Sequence, residues 1–421
     1  MQSSIKLRLT VMNFLQFAVW GAYLTSMGRY LGTAGFGSEI GNFYAMQGLV
    51  SLFMPALMGI VADRWIPAQR LLGLCHLLSG MLMLGVFNYT QTDAPSYPTL
   101  FALYSLSVAF YMPTLALSNS VAYTSLDQAG LDLVKSFPPI RVFGTVGFIC
   151  TMITVSLVGV EATSGQFAVS GIIGLVLAVY SQTLPNCPTA PKGQSKSLVE
   201  ALGLRAFVLF KQRKMALFFI FSMLLGVSLQ ITNGFANPFI STFGEIPAYA
   251  DTFGVKYANI LISLSQLSET LCILLIPFAL RRFGIRRVML IAMVAWVLRF
   301  ALLGLGNPGS GVWLFLLSMI VYGVAFDFFN VSGSLFVDKE TDPSIRSSAQ
   351  GLFMIMTNGI GATLGSLGAQ AVINHFVYSE HDTTAILAGW SMSWYVFAAY
   401  AAVVAVLFAL LFRYNTATEA K

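Results

Sequence analysis

Charged side chains are scarce in this sequence of 421 residues: they make up 10% of it, whereas roughly 25% is usual in soluble globular domains. Apolar residues make up 57%, and the mean hydropathy is +0.76. So little charge cannot cover the surface of a water-soluble fold of this size, which excludes that class of protein. Since a membrane-spanning helix needs about 20 apolar residues, we expect an all-α membrane protein with about twelve transmembrane helices.

Cysteine and histidine are also few, with four cysteines and three histidines. The cysteines stand singly, at Cys75, Cys150, Cys187 and Cys272, without the spacing of a disulfide framework or a metal site. The sequence has no phosphate-binding loop and no grouping of a nucleophile with a base and an acid. We therefore expect no catalytic residue, no metal and no cofactor, which speaks against an enzyme and against an ATP-driven pump.

Lysine and arginine are concentrated in alternate connections between the predicted spans, at 64–70, 135–141, 192–214, 281–287 and 339–346. Basic residues favour the cytoplasmic side of a membrane, so both termini and the long middle connection are predicted to be cytoplasmic. This placement accounts for the net charge of +6 without a nucleic-acid partner. The predicted spans are 7–31, 40–62, 70–88, 97–123, 141–160, 165–184, 213–236, 257–280, 288–305, 312–336, 348–374 and 389–412.

A basic stretch that contains proline divides the chain near its middle. It predicts an N-terminal six-helix bundle over 1–184, a cytoplasmic linker over 185–212 and a C-terminal six-helix bundle over 213–421. The two halves echo each other, because an Ile-Arg pair stands at the entrance of both the fifth and the eleventh span. Parallel six-helix repeats are the architecture of the major facilitator superfamily, and GIVADRWIPAQR resembles the loop motif of that superfamily.

Ionisable residues at membrane depth are costly, so each suggests a function. The candidates are Arg141, Glu269, Arg299 and Asp327. Gln266 lies one helical turn before Glu269, and this pair suits either a polyhydroxylated ligand or a hydrogen bond that joins two helices. Tyr322 and Phe326 are four residues apart and share a face next to that of Asp327, which suits a ring stacked beside a carboxylate as well as ordinary packing.

Two further polar stripes follow helical spacing. Arg141, Thr145 and Phe148 recur at i, i+4 and i+7, which places a cation, a hydroxyl and a ring on one face. The alternative for Arg141 is that its side chain extends to the cytoplasmic headgroups. Gln230 and Asn233 are three residues apart, and their amides offer both donors and acceptors to sugar hydroxyls or nucleobase edges.

Over nearly its whole length the sequence resembles the bacterial nucleoside:proton symporters of the major facilitator superfamily, the nucleoside and xanthosine permeases. The resemblance is carried by FLQFAVWGAYL, FPPIRVFGTVGF, SLSQLSET and SMIVYGVAFDFFNVSGSLFV. The sequence departs from that pattern in the connections 245–256 and 379–389, and at Arg29, where a small residue is expected.

The resemblance implies proton-coupled uptake of nucleosides by alternating access across the bacterial cytoplasmic (inner) membrane. It implies a nucleoside site between the two halves, at Arg141, Thr145, Phe148, Gln230, Asn233, Gln266, Glu269, Tyr322, Phe326 and Asp327. Burial favours the protonated carboxyl, so Asp327 and Glu269 are the predicted proton-coupling residues. Asp63 and Arg64 are the predicted gating residues. The expected partners are nucleoside, protons and the lipid bilayer, and we expect a monomer.

Three alternatives stay open from the sequence. A facilitator of the same fold would carry nucleosides downhill without protons. A related transporter would carry another polar solute, such as a sugar, or drug-like cations, although a drug exporter would not need so many amides on one cavity. The third alternative is a membrane enzyme or a non-transporting nucleoside receptor, and the missing pair of nucleophile and base speaks against the enzyme.

Overall fold

The computed structural model describes residues 2–189 and 204–414, and within these ranges the chain is helical and contains no strand. Ten helices of the described residues are long and apolar enough to cross a membrane. The α-helices are α1 Gln2–Gly21, α2 Met27–Thr33, α3 Ile40–Ser51, α4 Met54–Arg64, α5 Ala68–Tyr89, α6 Tyr97–Gln128, α7 Leu133–Leu157, α8 Gly165–Tyr180, α9 Arg213–Thr242, α10 Pro247–Ala250, α11 Phe253–Lys256, α12 Ala258–Leu305, α13 Val312–Glu340, α14 Arg346–Met354, α15 Ala362–Phe376 and α16 Thr383–Leu411. A π-helix, Ile355–Gly361, joins α14 to α15, and short 3-10 turns complete the described structure.

The chain divides into two compact units. Unit 1 comprises Met1–Tyr30 and Leu49–Leu202, and unit 2 comprises Leu31–Gly48 and Gly203–Lys421. The predicted boundary between two six-helix bundles over 185–212 stays a prediction, and residues 190–203 of it lie outside the described structure.

Unit 1 is built on a close crossing of α1 with α7. A Cβ atom at Gly21 would collide with the backbone of Phe148, and one at Gly147 would collide with the backbone of Phe14. Small residues of this kind let two membrane helices approach each other at backbone distance. The glycines of the first and fifth predicted spans therefore position Phe148 against α1.

Arg29, the departure from the family pattern, has a partner within unit 1. Its Nη1 atom lies 2.5 Å from Oε1 of Glu161, whose side chain is buried. The Ser156 hydroxyl donates a hydrogen bond to the other oxygen of the same carboxylate. The charge that Arg29 introduces is thus neutralised by a hydrogen-bonded carboxylate.

Unit 2 contains a helix too long for a single membrane crossing. Helix α12 has 48 residues, and Gly284 inside it has a non-helical backbone with φ of 76°. A crossing needs about 20 residues, so the helix has the length of two spans. A positive φ is accessible to glycine at little cost, which explains why the chain changes direction at this residue, between the two spans predicted over 257–280 and 288–305.

Other predicted spans are interrupted in the structure. The chain turns at 22–26, inside the predicted span 7–31, and again at 52–53 inside the span 40–62. The span 348–374 contains the π-helix, and α7 begins at Leu133, eight residues before the predicted start. Helix α7 continues through Pro138 and Pro139, which membrane helices tolerate because neighbouring groups satisfy the freed carbonyls. The total of twelve spans stays a prediction.

Candidate functional site

Three of the predicted binding residues lie on α7 in unit 1. Arg141, Thr145 and Phe148 occupy one continuous helix, so their spacing puts them on one stripe of its surface. Arg141 and Thr145 are half-buried, and Phe148 is buried. The Phe148 ring meets the ring of Trp20 edge to face, with 6.3 Å between the ring centroids. Helix α1 therefore supplies an aromatic neighbour to this stripe.

The guanidinium of Arg141 rests on an aromatic ring of α1. Its Cζ atom lies 4.0 Å from the centroid of Phe17. A cation over a ring face is stabilised by the quadrupole of the ring. At Gly144, one turn further along α7, a Cβ atom would meet both the Phe17 ring and the Arg141 side chain. The absence of a side chain at Gly144 therefore makes room for this contact.

In unit 2, helix α9 carries the amide pair. The Asn233 Nδ2 atom donates to Oε1 of Gln230 over 2.8 Å, and both side chains are half-buried. The hydrogen bond fixes the orientation of the two amides relative to each other. It leaves the second N–H of the Asn233 amide and the NH2 group of the Gln230 amide as donors for other groups.

The two carboxyls that the sequence places at membrane depth lie near each other in unit 2. Glu269, on α12, and Asp327, on α13, are close enough to interact electrostatically. Asp327 is only 5% exposed, and its Oδ2 atom finds no hydrogen-bond partner among the described residues. The Oε1 atom of Gln266, one turn from Glu269, is also buried and has no hydrogen-bond partner among the described residues. A buried oxygen without a partner costs free energy, so these atoms lie where a ligand group or a proton would stabilise them.

Aromatic rings stand beside these carboxyls. Tyr322 and Phe326 stack within α13, with 5.5 Å between ring centroids and 14° between ring planes. Tyr322 is buried and lies within electrostatic range of both Glu269 and Asp327. The ring pair, the carboxyls and the amide of Gln266 thus belong to the packed pair of helices α12 and α13.

Ring and guanidinium contacts to the predicted site residues come from side chains that the sequence did not assign to the site. These side chains are Phe17, Trp20, Trp296 and Arg299. Trp296 meets Tyr322 edge to face at 5.9 Å, and the Arg299 guanidinium lies over the Tyr322 ring. Arg299 stands out in the sequence as a charge at membrane depth, but its partner lies on another helix, and no spacing rule within one helix finds it.

No group of three or more potential metal-ligating side chains occurs in residues 2–189 and 204–414. The predicted residues of unit 1 offer a ring, a hydroxyl and a guanidinium, and those of unit 2 offer rings, amides and carboxyls. Groups of these kinds can hold a neutral, ring-containing and hydroxylated molecule, and a carboxyl can exchange a proton.

The whole chain is similar to known transport proteins. A family model described as nucleoside H+ symporter matches residues 3–417. The xanthosine permease of Escherichia coli strain K12 is 48% identical over 415 residues, which are 98% of this chain and 97% of the permease. The nucleoside permease NupG of the same organism is 45% identical over the same shares of both chains.

The fold of this chain is similar to that of solved transporter structures. The crystal structure of the nucleoside transporter NupG matches with a TM-score of 0.89 and 44% identity, over 98% of this chain and 100% of that one. The POT family transporter PepTSo matches with a TM-score of 0.68 over 97% of each chain, but at 14% identity this similarity concerns the fold alone.

Proposed function

The chain belongs to the nucleoside H+ symporter family, and we propose that it takes up nucleosides by alternating access, with protons coupled through Glu269 and Asp327. It is a multi-pass membrane transporter with the fold of the major facilitator superfamily, not an enzyme. The observation that carries the proposal is a buried Asp327 oxygen without a hydrogen-bond partner among the described residues, next to a second carboxyl and a stacked ring pair.

The ten predicted residues divide the recognition of a nucleoside by chemistry. The ring of Phe148, Tyr322 or Phe326 holds the nucleobase face. Base edges and ribose hydroxyls are bound by the amides of Gln230, Asn233 and Gln266, the carboxyls of Glu269 and Asp327, the Thr145 hydroxyl and the Arg141 guanidinium. The fixed orientation of the Gln230–Asn233 pair lowers the entropy lost when a ligand is bound.

A neutral nucleoside needs no charged partner, so the carboxyls have a second role. Two carboxylates close to each other repel when both are ionised, and a proton on one of them stabilises the pair. Loading a proton from the outer side and releasing it inside then drives the cycle in the direction of uptake. The electrostatic interaction between Glu269 and Asp327 supports this part of the proposal.

The experiment replaces each carboxyl by its amide in protein reconstituted in liposomes. We expect Asp327→Asn and Glu269→Gln each to abolish the accumulation of labelled uridine that an inward proton gradient drives. Asp338→Asn is the matched control, since Asp338 lies on the same helix but forms a half-exposed ion pair with Arg346 at 3.2 Å. Full gradient-driven accumulation in either amide variant would remove that residue from the coupling role.

The remaining parts of the proposal concern placement and gating. The protein lies in the cytoplasmic (inner) membrane as a monomer in the lipid bilayer, with both termini cytoplasmic. Protease access to terminal tags in sealed vesicles of known orientation tests the side on which the termini lie. Asp63 and Arg64, at the end of α4, gate the cytoplasmic side. The basic residues around Arg64 support this orientation because they favour that face of the membrane.

A further inference from the structure

Arg299 is a charged residue in the interior of unit 2 to which the proposed transport cycle assigns no role. It lies on α12, fifteen residues beyond the kink at Gly284, and is 2% exposed. A buried charge without a countercharge costs several kcal/mol. A leucine or methionine would fill the same space without this cost, so the presence of the charge suggests a function for Arg299.

The guanidinium is held by neutral groups. Its Nη1 atom donates to the carbonyl oxygen of Ser318 over 2.8 Å and lies 3.4 Å from the hydroxyl of Ser265. The Ser318 hydroxyl donates back to the carbonyl of Arg299 over 2.9 Å. No carboxylate among the described residues forms an ion pair with it. These bonds fix the position of the guanidinium but leave its charge without a countercharge.

These hydrogen bonds place the Arg299 guanidinium over the ring of Tyr322. The Arg299 Cζ atom lies 4.5 Å from the ring centroid. The same ring meets Trp296 edge to face at 87° and stacks on Phe326. Tyr322 thus has contacts with a cation and two rings, and it lies within electrostatic range of Glu269 and Asp327.

We infer that Arg299 is a positioning residue for nucleoside binding: its guanidinium holds the Tyr322 ring in the orientation in which that ring and Phe326 receive the nucleobase. The inference rests on the proposed function, since Tyr322 is a proposed binding residue. The charge polarises the ring and fixes it from a desolvated position, where a cation–ring contact is strongest. Arg299 itself donates to Ser318 and stays out of contact with the substrate.

The test is a double-mutant cycle read by equilibrium binding of labelled uridine to the purified full-length protein. The variants are Arg299→Gln, Tyr322→Leu and the pair of both. Glutamine keeps a donor for the Ser318 carbonyl and removes the charge. We expect each single variant to weaken binding roughly tenfold, as the loss of a desolvated cation–ring contact would. In the double variant we expect little further loss, because Arg299 acts through Tyr322.

Two controls separate positioning from a general effect on the fold. Arg286→Gln removes a guanidinium that donates to the carbonyls of Phe412 and Ala409, at 2.6 and 2.7 Å, and we expect it to leave uridine binding unchanged. Arg299→Lys keeps a cation near the ring, and we expect it to restore most of the affinity that Arg299→Gln loses.

The outcomes distinguish the inference from the proposed function. If Tyr322→Leu leaves binding unchanged, the proposed site is wrong and the inference fails with it. If Tyr322→Leu weakens binding but the loss from Arg299→Gln is absent or simply adds to it, the site stands and the positioning role is refuted. If Arg299→Gln is not recovered as a folded monodisperse protein, the cycle is run with Arg299→Met, which also removes the charge and fills the same space. Its loss of affinity must again disappear in the Tyr322→Leu background.

Discussion

In the described part of each unit, an arginine from a predicted span has its guanidinium over an aromatic ring. Arg141 lies 4.0 Å from the Phe17 centroid in unit 1, and Arg299 lies 4.5 Å from the Tyr322 centroid in unit 2. The roles are reversed, because in unit 1 the arginine is the proposed binding residue, whereas in unit 2 it is the ring. Such contacts reduce the cost of holding a guanidinium in an apolar environment.

Because Phe17 contacts Arg141, we expect a substitution of Phe17 to change uridine binding although Phe17 lies outside the proposed site. Replacing Phe17 by leucine keeps an apolar side chain of similar size but removes the ring face. We expect uridine to bind about threefold more weakly, the scale of one partly exposed cation–ring contact. Phe17→Tyr keeps the face and is expected to bind as the wild type does. Equal losses in both variants, measured by equilibrium binding, would contradict a role for the ring face.

Residue pairs within one helix were accessible from the sequence, and pairs between helices were not. The spacing of Gln230 and Asn233 places them on one face, and the structure joins them by a hydrogen bond. The same reasoning places Tyr322 and Phe326 on one face, and in the structure their rings stack. By contrast, the partner of Arg299 lies on another helix, and no period along the chain encodes that crossing.

At the scale of the elements, hydropathy locates the helices but not their interruptions. The turn at 22–26 and the π-helix Ile355–Gly361 lie inside stretches that hydropathy predicts as continuous spans. At the π-helix two backbones come close together, because a Cβ atom at Gly226 on α9 would collide with the backbone of Thr357. A sequence pattern records which residues are apolar but not which backbone approaches which.

Two glycines of α15, Gly365 and Gly368, differ in how closely another backbone approaches them. The sequence GATLGSLGAQ does not distinguish Gly365 from Gly368. In the structure a Cβ atom at Gly365 would collide with the backbone of Val227, whereas nothing lies within 4 Å of one at Gly368. We expect Gly365→Ala to lower the stability of the protein by about 1–3 kcal/mol, the cost of overpacking.

The matched control is Gly368→Ala on the same helix. It makes the same chemical change without a collision, so its melting temperature in detergent is expected to equal that of the wild type or to exceed it slightly, because alanine is the better helix former. Thermal unfolding followed by size-exclusion chromatography measures both variants. An equal loss of stability in the two would refute the packing at Gly365.

In the molecule as a whole, each of the two compact units is formed by two separate stretches of the chain. The segment Leu31–Gly48 belongs to unit 2, although the residues on both sides of it belong to unit 1. Within unit 2 the amide of Gln370 accepts from the Gly41 N–H at 2.5 Å and donates to the Gly37 carbonyl at 3.0 Å. These contacts join residues more than 300 positions apart, so the assignment could not be predicted from local sequence patterns.

The proposed gate at the end of α4 also belongs to this scale. Replacing Asp63 and Arg64 together by alanine is expected to change the transport rate severalfold while the affinity for uridine stays within about twofold. The reason is that a gating contact alters the exchange between states, whereas binding depends on the site. Initial uptake rates and equilibrium binding measure the two quantities, with Asp251→Ala, in an exposed ion pair with Lys256, as the control. A change of affinity with an unchanged rate would contradict gating.

The most direct test of proton-coupled nucleoside uptake uses the wild-type protein in liposomes. Labelled uridine and adenosine are supplied with and without an inward proton gradient, and unlabelled glucose is added as a competitor. Coupled transport predicts accumulation above the external concentration only when the gradient is present, and no inhibition by glucose. Uptake that merely equilibrates under the gradient would contradict coupling and reduce Glu269 and Asp327 to ligand contacts.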